Sequence, residues 1–336
     1  MHLGLKARLG RVVALSAAAS ACLGVLVAPA QASGADERVR SVRSDGYTTY
    51  SDVAYASGGN QQVLDLYVPK GARWAPVIVY IHGGGWSAGD KSELQRIPEW
   101  TSLLSQGFAV ASVNYTLSTS AKFPQQIHEV KAAIRYLRAN SFRYGLNGRI
   151  GLWGGSAGGQ LAALAGTSCG VSALEGNVGG RGPSSCVQAV ADLSGPADLS
   201  ALADNPLLAG AVATYLGCPD GVQSCSPALL RQANPITHLA SGRRPPPFLI
   251  GHGDADTVIP IGQSRLLFSA LREACGSVRF FTLHGQDHFF PFTGGLSEPF
   301  PARTVQTSKR CGEPVTSTEP PLSFSTLASF FRAHLG

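Results

Sequence analysis

The sequence predicts an α/β fold: a mostly parallel central sheet with helices on both faces and an irregular excursion over its carboxyl edge. Three observations predict it. Short, continuous, β-branched runs such as residues 77–81 have the pattern of strands buried on both faces. They alternate with segments of helical period, such as Ile127, Val130, Ile134 and Leu137. Glycine-rich turns also follow the strands, at His82-Gly83-Gly84-Gly85-Trp86 and at Gly154-Gly155-Ser156-Ala157-Gly158-Gly159.

Residues 47–55 and 62–68 read as two edge strands joined hairpin-like through Ser57-Gly58-Gly59-Asn60. After strand 77–81, a helix is expected near 94–106, a strand at 108–113 and a helix at 124–140, closed by Gly145 and Gly148. Strand 149–153 empties into the serine turn, and 161–165 is helical in composition. Residues 187–193 and 247–251 read as later strands. Between them, residues 197–239 are rich in Asn-Pro, Gly and Cys and form a cap-like excursion. A helix at 264–274, a last strand at 278–283 and a closing helix at 324–334 complete the chain, with residues 291–321 as a long, irregular Pro/Thr-rich loop.

Of the 336 residues, 44% are hydrophobic and 14% charged, which excludes a disordered chain. The 40 Gly and 21 Pro follow no short period, so collagen-like and solenoid architectures are excluded too. Residues 1–32 read as a signal peptide: Lys6, Arg8 and Arg11 precede an apolar run over 12–27, and Ala30-Gln31-Ala32 offers a cleavage site before Ser33. A retained lipoprotein anchor at Cys22 is the alternative. Three charges of the net +6 lie in that leader, and the remainder is too small for a nucleic-acid footprint. Residues 33–336 are read as one catalytic domain, secreted, with no membrane span after processing. Six cysteines remain in it, and proximity along the chain favours Cys169 with Cys186, Cys218 with Cys225 and Cys275 with Cys311. No cysteine or histidine spacing suits a metal, and no cofactor is implied. No motif sets the oligomeric state.

A serine in a strand–turn–helix slot at Gly154-x-Ser156-x-Gly158 has the setting of a nucleophile. A serine alcohol is a poor nucleophile at neutral pH, so it needs a base, and the base needs an acid to orient it. In chain order these are Asp256, past the strand ending near Gly251, and His288, past the strand ending near Leu283. Asp254 is the rival acid, while His252, His284 and His82 are rival bases; Asp287 is expected to be solvated. An oxyanion needs preorganised donors, and Gly84, Gly85 and Ala157 can supply backbone amides. Trp86 and Tyr115 are expected to line a substrate pocket. No metal takes part.

These motifs, with Gly251-His252-Gly253-Asp254-Ala255-Asp256 and Asp287-His288-Phe289, resemble the α/β-hydrolase superfamily. Within it the chain resembles the carboxylesterase and lipase branch that holds hormone-sensitive-lipase-like esterases and bacterial feruloyl and acetyl-xylan esterases. Supporting stretches are Gly89-Asp90-Lys91, Asn114-Tyr115, Phe123-Pro124 and Ser194-Gly195-Pro196-Ala197-Asp198-Leu199. The resemblance implies Ser156 as nucleophile, His288 as base, Asp256 as its acid, and Gly84, Gly85 and Ala157 as oxyanion donors. Gly155 and Gln160 depart from the family, in which a side chain such as Glu and a His are common at these places. The expected activity is hydrolysis of carboxylic esters, short-chain acyl or aryl/polysaccharide-linked, through an acyl-enzyme. The alternative is amide cleavage of the prolyl-peptidase or formamidase type.

Overall fold

The computed structural model describes residue 1 and residues 40–43, 46–241, 243–297 and 303–336. The expected leader, its cleavage point and Cys22 lie outside the described residues, Met1 apart.

Strands form where the β-branched runs were read. In chain order they are β1 (Arg40–Arg43), β2 (Tyr47–Ala54), β3 (Val63–Pro69), β4 (Ala75–Ile81), β5 (Ala109–Val113), β6 (Leu146–Gly155), β7 (Ala189–Leu193), β8 (Phe248–Gly253), β9 (Val278–Leu283), β10 (Arg303–Ser308) and β11 (Val315–Ser317). They make one sheet, ordered β1-β2-β3-β5-β4-β6-β7-β8-β9-β10-β11. From β5 to β9 every pairing is parallel, while both flanks are antiparallel.

The helices are α1 (Ser102–Ser105), α2 (Gln125–Ala139), α3 (Ala157–Thr167), α4 (Ser172–Glu175), α5 (Ala209–Leu216), α6 (Pro227–Ala233), α7 (Gly262–Glu273) and α8 (Phe324–Leu335). Because successive strand side chains point to opposite faces, β4 feeds two cores. Val77, Val79 and Ile81 join a cluster with Ile127 of α2, Leu161 of α3 and Leu267 of α7. Ile78 and Tyr80 join the other, with Leu103 of α1 and Phe331 of α8. The chain thus has helices on both faces of a largely parallel sheet, as expected.

Four local expectations need correction. The single helix over 94–106 is instead a 3₁₀ turn, Lys91–Arg96, and the short α1. Pro98 separates them: the residue before a proline is driven out of the helical region, and Ile97 is extended (ψ 116°) while Glu99 has φ +59°. The pair β2 and β3 does form a hairpin-like start, but neither strand is an edge. β1 covers β2, and β3, buried along almost its whole length, pairs with β5 on its other side. Strand β9 is not the last. The 291–321 segment carries β10 and β11, which extend the sheet antiparallel from β9. The strand signal at Arg303–Ser308 is weak because only Val305 and Ser308 are buried, and Pro301, Pro314, Pro320 and Pro321 surround it.

The pairs Cys169–Cys186, Cys218–Cys225 and Cys275–Cys311 are all bridged.

Helix α8 seals one face. A Cβ placed on Gly151 of β6 would lie 2.5 Å from a ring carbon of Phe331, so the ring lies directly on the bare backbone of the strand that leads to Ser156. Phe331→Ala should destabilise the fold by about 3–5 kcal/mol, because the strand offers no side chain to refill the cavity. Urea unfolding checks this, and a loss below about 1 kcal/mol would show that the helix does not clamp β6.

Candidate active site

Ser156 stands between the end of β6 and the first residue of α3 with φ +56° and ψ −126°, a conformation that non-glycine residues rarely adopt. Its neighbours two positions away must be glycine. A Cβ on Gly154 would fall 2.3 Å from the Gly158 carbonyl oxygen, and one on Gly158 would fall 2.0 Å from that of Ile81. The helix start is therefore pressed against the ends of β6 and β4, and the serine is lifted out of the turn.

His288 and Asp256 meet it there. Ser156 Oγ is 3.0 Å from His288 Nε2, and His288 Nδ1 is 2.7 Å from Asp256 Oδ2. An ionised carboxylate only accepts, so the Nδ1 proton points to Asp256 and Nε2 is left to accept from the serine hydroxyl. The Asp256 side chain is buried. Burial pushes its carboxyl up, but hydrogen bonds from His252 and His288 and the charge of His288 outweigh this and hold it well below the usual carboxylate range. The amides of Val258 and Ile259, each 2.8 Å from Oδ1, fix its other oxygen.

The rivals are accounted for by other partners. Asp254 Oδ2 lies 2.8 Å from His284 Nδ1, and His284 Nε2 is 2.9 Å from Thr304 Oγ1, on the solvent side. Asp287 is exposed and accepts from the Phe289 amide. His252 is fully buried, with Nδ1 2.7 Å from Ser264 Oγ and Nε2 3.1 Å from Asp256 Oδ2, so it braces the acid from behind. Sequence reasoning treated His252 only as a competing base. The signal for its actual place was its spacing of four from Asp256 around one turn.

Of the three predicted oxyanion amides, Ala157 follows the serine in the chain, and Gly84 and Gly85 lie in the loop whose Gly83 packs beside it. Gly84 (φ +90°) and Gly85 (φ +58°) follow β4, and a Cβ on the preceding Gly83 would lie 3.5 Å from Ser156 Cβ. The Gly84 carbonyl accepts from the Ser87 and Ala88 amides, which sets the loop, while the Gly84 and Gly85 amides donate to no acceptor among the described residues. Ala157, as the first residue of α3, also has an amide without a helical partner.

Trp86 and Tyr115 correct an expectation, since neither faces a pocket. Trp86 is 1% exposed, stacks on Tyr215 of α5 at 4.5 Å and donates to Gln160 Oε1. Tyr115 is fully buried, stacks on His82 at 4.2 Å and reaches the His82 and Gly83 carbonyls at 3.1 and 3.2 Å. Both rings brace the glycine loop from beneath. The motif told where they sit along the chain but not which way their side chains turn. A residue that sequence reasoning missed, Phe292, does reach the site, its ring tip 2.6 Å from where a Gly155 Cβ would be. No local pattern marks it. Among the described residues, no group of three or more His, Cys, Asp or Glu is placed to hold a metal ion.

A serine on a strained strand-to-helix turn, hydrogen-bonded to a histidine and a carboxylate at the carboxyl edge of a parallel sheet, defines an α/β hydrolase. The chain belongs to the BD-FAE family within that fold, whose model matches residues 64–271. Esterase LipQ of Mycobacterium tuberculosis is 32% identical over 269 residues, covering 76% of this chain and 60% of the relative. A truncated carbohydrate esterase from gut microbiota has a TM-score of 0.64 at 32% identity, over 75% of this chain and 93% of that one. An inhibited esterase B from Lactobacillus rhamnosis has a TM-score of 0.63 at 27% identity, over 78% and 84%. The chain spans about 60% of the length of the mycobacterial relatives it matches.

His82 ties this site to acid stability. Burial pushes its imidazole down from 6.5 to about 4, although the hydrogen bond from Nδ1 to the Gly83 carbonyl opposes the shift. Between those values the unfolded chain holds a proton that the folded chain does not. Stability from this group is therefore complete above pH 6.5 and is lost as pH falls towards 4, by up to about 3 kcal/mol. Unfolding free energies of the wild type and His82→Phe across pH 4–7 should converge by that amount towards acid. Parallel curves would show that His82 is not buried neutral.

Proposed function

We propose that the protein is an exported serine carboxylesterase, with residues 33–336 as one catalytic domain. The observation that carries this reading is the continuous chain of hydrogen bonds from Ser156 Oγ through His288 to Asp256, at 3.0 and 2.7 Å. The names of the three mycobacterial relatives, esterases or a probable carboxylic ester hydrolase, support it.

In the proposed reaction Ser156 Oγ attacks the ester carbonyl carbon as His288 Nε2 takes its proton. The resulting oxyanion is met by the Gly84, Gly85 and Ala157 amides, the last at the positive end of α3. Collapse breaks the ester bond. His288 protonates the departing alcohol oxygen and leaves an acyl-serine, and water, activated by the same imidazole, releases the acid and restores the serine. Asp256 keeps the proton of His288 on Nδ1 and offsets the imidazolium charge. It stays ionised far into acid, so its own titration does not set the acid limb of activity.

Export is supported by three disulfides, which persist in oxidising compartments. No helix among the described residues is long and apolar enough to cross a membrane. The substrate class proposed is small or polymer-linked carboxylic esters.

Ser156→Ala should lower kcat on nitrophenyl acetate by roughly 10⁶-fold, and Asp256→Asn by roughly 10⁴-fold, with circular dichroism unchanged for Ser156→Ala. A fluorophosphonate should attach to Ser156 in the wild type. An alanine variant that kept the wild-type rate would remove Ser156 from the mechanism.

A further inference from the structure

The chain just past His288 forms an anchored, projecting turn. The Phe292 and Thr293 amides donate to the Phe289 carbonyl at 2.9 and 3.2 Å, and the Gly295 amide donates to that of Phe290 at 3.0 Å. Phe290 and Leu296 are buried in the core on the α8 face, and Ser297 Oγ donates to the Pro98 carbonyl at 3.3 Å. The turn is held at both ends. It presents two rings: Phe289, 54% exposed, just before the first anchor, and Phe292, half-buried, between the anchors.

The Phe292 ring enters the space that a side chain at position 155 would fill. A Cβ on Gly155 would be 2.6 Å from Phe292 Cζ, and one on Gly83 would be 3.7 Å from the same atom. These glycines bracket the serine, one preceding it in the chain and the other packing beside it from the glycine loop. The unusual glycine beside the nucleophile and this phenylalanine are thus two halves of one arrangement.

The geometry points to Phe292, with Phe289 at its outer edge, as the apolar wall of a subsite that receives the ester's departing alcohol and favours alcohols with a flat, ring-shaped apolar face. The assignment rests on the esterase reading and adds its specificity. Its side follows from proton delivery. His288 Nε2 must reach the leaving oxygen, so the alcohol lies on the histidine side of Ser156, while the carbonyl oxygen turns to the Gly84, Gly85 and Ala157 amides. The Phe289 ring stands edge-on to His288 at 5.5 Å, and Phe292 is carried by the same turn. An aromatic surface there gains from covering an apolar ring and gains little from a short alkyl group.

The test uses the purified full chain and compares kcat/KM for benzyl acetate with that for ethyl acetate. In Phe292→Ala the benzyl-to-ethyl ratio should fall roughly tenfold, mostly through KM for the benzyl ester, with Phe292→Leu in between. Gly155→Ala, which pushes the ring tip aside, should move the ratio in the same direction, and it carries the test with Phe292→Leu if the alanine variant does not fold. The ratio of ethyl butyrate to ethyl acetate should stay within about twofold, since the acyl side is untouched. An unchanged benzyl-to-ethyl ratio in all three variants, or a shift confined to the acyl series, would overturn the subsite. A wild-type protein that cleaves neither acetate would overturn the esterase reading and the subsite with it, a failure visible before any variant is made.

Discussion

The close approach of α3 to the ends of β4 and β6 is the constraint on which the site depends. Contacts at Gly154 and Gly158 leave no room for a single carbon atom, and they force the intervening Ser156 into a positive-φ turn. The strain is held by regular structure on both sides: the Ser156 amide donates to the Leu193 carbonyl of β7, and the Ser156 carbonyl accepts from the Gln160 amide. Parallel pairing of β7, β8 and β9 then places the loops of Asp256 and His288 at the same edge. Three residues separated by up to 132 positions meet because each follows a strand of one sheet.

This explains why the meeting of Ser156, Asp256 and His288 was legible in the sequence while its surroundings were only partly so. A nucleophile slot, an acid after one strand and a histidine after the next are properties of chain order, and order survives in a sequence. The choice between Asp254 and Asp256 has a geometric basis: two acids two residues apart face two histidines four apart, and each acid takes one, His284 for Asp254 and His288 for Asp256. Direction of side chains was less accessible. Trp86 follows a glycine turn at the site, yet its indole turns inward, because Tyr215 from the excursion and Gln160 from α3 supply a stack and an acceptor that chain order does not reveal. The strands β1 and β10 were missed for a related reason: Arg40–Arg43 holds a single apolar residue, and only two positions of β10 are buried, so both lack the apolar pattern that marks interior strands.

Charge is distributed around the turn in a way that suits the proposed chemistry. Asp192 on β7 is fully buried beside Gly159 and Gly195, and burial pushes its carboxyl up to about 7, although the Gly195 amide bond opposes this. His82, under the glycine loop, is pushed down to about 4. Between those values both groups are neutral, whereas Asp256 is held ionised by His252, His288 and two backbone amides. Of these three buried titratable groups around Ser156, only the one touching His288 carries charge. A proton passed from Ser156 to His288 therefore creates a cation against a ready carboxylate, with no competing charge from His82 or Asp192 to draw it elsewhere. Were Asp192 ionised, it would lie beneath the start of α3, where it would oppose an oxyanion forming at the Ala157 amide. Below about pH 7, where burial keeps that carboxyl protonated, no charge on Asp192 offsets the positive end of the helix, where the proposed oxyanion would form.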